Sequence, residues 1–124
     1  MDVLHTAIWV SDLDATTTFY EDHLGLSQTR EFVGDDGAVN YFVAGEGDTE
    51  IQFKHDPEGD GEPVDPGDFD HVALAVEDTD AMVEHVVEET AGSLRAGPMD
   101  HDGELRIAFV EDPDGYGVEL VEER

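Results

Sequence analysis

The sequence has no cysteine, one lysine and four arginines in 124 residues. The missing cysteines remove disulfides, thiolate zinc sites and cysteine nucleophiles together, so any metal must be held by His, Asp or Glu. The few cations leave no cluster able to displace counterions from nucleic-acid phosphates or to hold an anionic lipid surface, which excludes nucleic-acid and polybasic membrane roles. No apolar run reaches the about 18 residues needed to cross a bilayer. The N-terminus, Met1-Asp2-Val3-Leu4-His5, lacks a basic region followed by an apolar stretch. These absences predict a soluble, cytoplasmic protein.

What is present in excess is carboxylate: 18 Asp and 15 Glu give a formal net charge of −28. Such charge usually accompanies disorder. Here 39% of residues are hydrophobic and recur at strand and helix periods, so the chain reads as one folded domain with an acidic shell. A shell spread over the whole chain, with lysine nearly absent, is what a salt-loaded cytoplasm selects, because screening salt suppresses the mutual repulsion. A halophilic source is predicted, and with it unfolding or dissociation on dialysis into dilute buffer. A thermal midpoint independent of salt would count against it.

The chain reads as two copies of one unit. Each half opens with a strand starting at a histidine, HTAIWV from His5 and HVALAV from His71, followed by an acidic turn, SDLD or EDTD, suited to capping a helix. Helices are predicted over about 15–24, ended by Gly25, and about 81–90. Three strands complete each half, at about 28–33, 39–44 and 50–54, then 94–97, 106–111 and 116–121, with DPDG at Asp112–Gly115 as a tight turn. The fold class is therefore α+β, two tandem β-α-β-β-β modules over 1–54 and 70–124. The stretch 55–69, with three of the five prolines and no apolar period, is the linker of this single domain.

The histidines His5 and His71 lie 66 positions apart, and the glutamates Glu50 and Glu119, each on a closing strand, lie 69 apart. If the two sheets curl around a shared cleft, these four side chains can converge on its floor. Two imidazoles and two carboxylates suit a divalent first-row ion with room for substrate oxygens, and nickel, cobalt, zinc or manganese would fit. His23, His55, His85 and His101 have no such symmetry and are expected to be solvated. No Walker loop, Rossmann fingerprint or GxSxG elbow is present.

The segments LHTAIWVSDLDATTTFYEDHLGL, EIQF, DHVALAVEDTDAMVEHV and IAFVEDPDGYGVELVEE resemble the vicinal oxygen chelate (glyoxalase, bleomycin resistance, dioxygenase) superfamily, and within it the glyoxalase I, or lactoylglutathione lyase, branch. The resemblance implies that superfamily's curved, cleft-enclosing mixed β-sheet. It also implies a metal site of His5, Glu50, His71 and Glu119, with nickel or cobalt favoured for so short a chain. Methylmalonyl-CoA epimerases of the superfamily often carry glutamine where glyoxalases carry the mid-chain glutamate. The implied reaction isomerises the hemithioacetal of methylglyoxal and a low-molecular-weight thiol to an S-lactoyl thioester through an enediolate. Glu119 is the expected base, with Glu50 as the second catalytic carboxylate on the opposite face.

The implied assembly is a homodimer with active sites at the interface. Trp9 stands where glutathione-using relatives commonly have arginine, and Lys54 where they have asparagine. These two are the candidate substrate contacts, and a thiol such as γ-glutamylcysteine is an alternative to glutathione. Two other readings are an acyl-CoA epimerase and a non-catalytic binder of the bleomycin-resistance type.

Overall fold

The computed structural model describes residues 1, 3–67, 69–101 and 103–123. The chain divides into two compact units, Met1–Val64 and Asp65–Arg124. The first holds β1 (His5–Trp9), α1 (Leu13–Thr17) continued by a wider π-type turn over Thr18–His23, β2 (Ser27–Val33), β3 (Val39–Ala44) and β4 (Glu50–His55). Its four strands form one sheet in the order β1-β4-β3-β2, with β1 and β4 parallel and the other neighbours antiparallel. The second unit repeats this plan with β5 (Val72–Ala75), α2 (Thr79–Glu89), β6 (Ser93–His101), β7 (Leu105–Glu111) and β8 (Gly117–Glu123), in the order β5-β8-β7-β6. Each unit is a β-α-β-β-β module.

The helices start where the acidic turns place a cap. Asp12 accepts from the Ala15 amide at 3.1 Å and Asp78 from the Ala81 amide at 3.0 Å, satisfying one orphan donor each. Both helices therefore begin two residues before the predicted Ala15 and Ala81. Past Thr17 the first helix widens, with the Leu24 amide donating to the Phe19 carbonyl. Widening brings adjacent side chains toward one face, and Phe19 and Tyr20 are both fully buried. The Tyr20 ring lies 4.9 Å from that of Phe53 on β4, so the helix side of module one is an aromatic core. Its counterpart in module two is aliphatic, built from Val83 and Val86 on α2 with Val110, Val118 and Leu120, all buried.

Three boundaries differ from the sequence reading. His71 precedes β5 rather than opening it. His55 closes β4 instead of opening the linker, its Nδ1 3.4 Å from the Val10 carbonyl oxygen. Strand β6 runs past Gly97 to His101, because register shifts after Leu94 and Ala96 let the ladder absorb Gly97 and Pro98, the latter without an N–H to donate. The DPDG turn is as predicted: Asp112 Oδ1 accepts from the amides of Asp114 and Tyr116, each at 2.9 Å.

Strand registers give the true repeat spacing. His5 pairs with Glu50 and Ala7 with Gln52 across β1 and β4, while Ala73 pairs with Glu119 across β5 and β8. Independently, Phe42 on β3 opposes Gln52, and Phe109 on β7 opposes Glu119. One strand further out, Arg30 opposes Phe42 and Ala96 opposes Phe109, each just after a bulge. The modules thus superpose in sequence at 66 to 67 positions, placing His5 on His71, Arg30 on Ala96, Phe42 on Phe109, Glu50 on Gly117 and Gln52 on Glu119.

Candidate metal centre

In module two, alternation along β8 puts Glu119 on the face opposite Val118 and Leu120, which go to the core. His71 is on the same face, its Nε2 3.4 Å from Glu119 Oε1. Its other ring nitrogen, Nδ1, lies 2.6 Å from Asp70 Oδ2. A carboxylate can only accept, so in the neutral ring the proton sits on Nδ1 and Nε2 keeps its lone pair. That is the outer arrangement metal-bound imidazoles use. Phe109 packs edge-on against the imidazole at 5.4 Å between ring centroids.

In module one, His5 makes the same edge-on contact with Phe42, at 5.6 Å. Beside it, Glu50 has both oxygens engaged: Thr29 Oγ1 donates to Oε2 at 2.5 Å and Arg30 Nη2 to Oε1 at 3.3 Å. The Arg30 guanidinium is itself stacked 3.9 Å over the Phe42 ring. The Thr29 hydrogen bond, helped by the charges of Arg30 and His5, holds the Glu50 carboxyl below the usual carboxylate range against the opposing effect of desolvation.

The structure corrects one step of the sequence argument. Glu50 and Glu119 are not repeat counterparts: their spacing of 69 exceeds the 66 to 67 of every register pair, and Glu119 falls on Gln52. Glu50 falls on Gly117, where a Cβ would meet the Asp70 carbonyl oxygen at 2.6 Å and Arg95 Nη1 at 2.8 Å, so no side chain fits there. Gln52 was missed because glutamates were sought. The signal was in the sequence, since setting YFVA on AFVE aligns Gln52 with Glu119.

Trp9 is half exposed, and Lys54 Nζ lies 5.2 Å from the centroid of its ring while donating to Asn40 Oδ1 at 3.0 Å. Trp9 also lines a shallow, open pocket with Ser11, Asp56, Asp60, Glu62 and Val64, which includes neither His5 nor Glu50. Its three carboxylates repel an anionic thiol at that spot. Among the described residues, Arg95 donates through two nitrogens to Glu111, and Arg106 engages Asp80 and Asp100. Among the described residues, Asp78, Asp80 and Glu122 form the one acidic trio close enough to hold an ion. They are already in use, Asp78 as the α2 cap, Asp80 on Arg106 and Glu122 as acceptor of the Thr79 amide at 2.8 Å.

Two β-α-β-β-β modules, each presenting a histidine near an oxygen-bearing side chain on the face away from its helix, define the class of fold and site. The model of the Glyoxalase/Bleomycin resistance protein/Dioxygenase superfamily matches residues 2–120. A probable lactoylglutathione lyase of Synechocystis is 37% identical over 127 residues, covering 98% of this chain and 95% of that one. The lactoylglutathione lyase of Neisseria meningitidis serogroup A is 35% identical over 130 residues, covering 100% and 92%. Glyoxalase I from Zea mays superposes with a TM-score of 0.82 at 28% identity over 98% of this chain, which spans 44% of the maize chain. The chain belongs to the glyoxalase, bleomycin resistance protein and dioxygenase superfamily. Within it, the chain is an enzyme similar to the lactoylglutathione lyases. No helix among the described residues is long and apolar enough to cross a membrane.

Proposed function

We propose that the protein is a metal-dependent glyoxalase I-like lyase that isomerises the hemithioacetal of methylglyoxal and a small thiol to an S-lactoyl thioester, acting in the cytoplasm as a homodimer. The observation that carries the reading is the His71–Glu119 pair with Asp70 behind the imidazole. Neutral imidazole nitrogen and carboxylate oxygen are donors that a divalent first-row ion accepts, and His5 offers a second imidazole. His71 with Glu119, and in module one His5 with Glu50 or Gln52, are the donor pairs that would hold such an ion, nickel or cobalt in the favoured case. When bound, the ion supplies electrostatic stabilisation for negative charge developing on two vicinal substrate oxygens.

The chain itself must move one proton between neighbouring carbons. Glu119 is assigned that work. Its carboxylate faces the His71 imidazole and, among the described residues, has no lysine or arginine locked on it, so it can take a proton and return it. Glu50, fixed by Thr29 and Arg30 and held toward its ionised form, is the poorer base. The lining of the pocket at Trp9 carries three carboxylates and no cation, which supports a small thiol other than glutathione.

Metal analysis followed by assays with methylglyoxal and several thiols in molar KCl tests the reading. Bound divalent metal and thioester formation are expected. A second reading is favoured by Gln52 standing on Glu119, since glutamine at this place resembles the acyl-CoA epimerases; metal binding without thioester formation would select it. A protein that binds no metal would contradict both.

A further inference from the structure

We infer that module one's oxygen donor to the metal is Gln52 and not Glu50, and that Lys54, through Asn40, is the positioning residue that turns the Gln52 carbonyl outward. The inference rests on the metal-dependent reading above. Its first support is the register, in which two independent strand pairs place Gln52 on Glu119 and a third contact, the edge-on ring against histidine, places Phe42 on Phe109.

The second support is hydrogen-bond logic. Lys54 Nζ can only donate, so the Asn40 atom it meets at 3.0 Å must be the oxygen, Oδ1. The Asn40 amide nitrogen is spent on the Ala38 carbonyl, 3.1 Å away. Gln52 meets the same Asn40 oxygen at 2.7 Å and must present its NH₂ there. With the nitrogen committed, the Gln52 carbonyl oxygen accepts nothing from the described residues and is not sealed in the interior, although the residue as a whole is 8% exposed. A fixed amide oxygen on the His5 face is a ready ligand for a hard divalent ion.

Glu50 is the less available donor, since Thr29 and Arg30 each take a lone pair, one on either oxygen, and hold the carboxylate toward themselves. The relay belongs to module one alone: the positions matching Asn40 and Lys54 are Ile107 and Val121, and module two, with a carboxylate at 119, has no amide to orient. The only lysine of the chain is thereby given a task other than binding a thiol.

Isothermal titration with Co²⁺ in molar KCl, read together with the visible absorption of the bound ion, tests this. Gln52→Leu should weaken Co²⁺ binding by at least about tenfold, with Gln52→Glu restoring it and shifting the absorption bands. Lys54→Met should weaken it by a smaller factor. Glu50→Gln should leave affinity within about threefold and the bands unmoved. Loss of Co²⁺ in Glu50→Gln, with Gln52→Leu binding like the parent, would overturn the inference while leaving the metal-dependent reading standing. A parent protein that takes up no Co²⁺ would overturn both.

Discussion

The two modules share strand order, the parallel β1–β4 and β5–β8 pairs, an aspartate cap 66 positions apart, a bulge in the second strand and a histidine against a phenylalanine edge. They differ in what surrounds that histidine. Module one has a carboxylate, Glu50, tied down by Thr29 and Arg30, and an amide, Gln52, oriented by Asn40 and Lys54. Module two has a glycine at the first place, a carboxylate facing His71 at the second, and Ala96 where Arg30 would be. A duplicated scaffold has kept its geometry and changed the side chains around the histidine; under the proposed function one half holds and the other exchanges a proton.

The modules also differ in how their helices are seated, and this difference carries the largest expected effects on stability. Truncating Phe53, which stacks on Tyr20, to alanine should cost about 3–5 kcal/mol, against about 2 kcal/mol for Val86→Ala in the aliphatic core of module two. Equal losses in denaturant melts would break the contrast.

Next in size is the counterpart pair Gly117 and Glu50. Gly117→Ala forces a methyl against the Asp70 carbonyl and the Arg95 guanidinium and should cost about 1–3 kcal/mol. Glu50→Ala removes only partly exposed contacts and should cost less than Gly117→Ala. Thermal midpoints that rank the two the other way would contradict the placement of Arg95 beside Gly117.

The smallest effects lie at the extremes of pH. Because the Glu50 carboxyl is lowered on folding, its contribution is complete above the ordinary carboxylate range and is lost as pH falls through its lowered value. Thr29→Val removes the largest cause, so the acid limb of stability should move to higher pH. In module two, burial together with Asp114, Asp112 and Asp65 pushes the Tyr116 phenol up to about 12. Its contribution is complete below the ordinary phenol range, near about 10, and is lost as pH rises toward its raised value. Tyr116→Phe should flatten the alkaline limb and leave the acid limb alone. Tyrosinate absorbance and denaturant midpoints across pH would show it.

Much of this was legible before any coordinates. The two histidines, the acidic caps and the DPDG turn are local signals with a fixed chemistry, and each lies where the repeat places it. The glutamate pairing was not, because 15 glutamates leave any search for matched acids open to coincidence, whereas ladder register is set by apolar residues such as Phe42–Val43 and Phe109–Val110. The widening of the first helix and the length of β6 depend on tertiary packing and on bulges, which have no short-range signature. Asn40, Thr29 and Arg95 act through partners distant in sequence, so composition and spacing are silent about them, whereas Asp70 meets the adjacent His71.

The division of chemistry between the modules is tested most directly by the double variant Gln52→Glu/Glu119→Gln, which moves the carboxylate from one half to the other while keeping the donor count. Loaded with Co²⁺ and assayed with methylglyoxal and the best thiol in molar KCl, it should bind the ion within about tenfold of the parent and lose about 10²–10⁴ in turnover. Turnover within tenfold of the parent would mean that either module can move the proton, and would contradict the assignment of that role to Glu119.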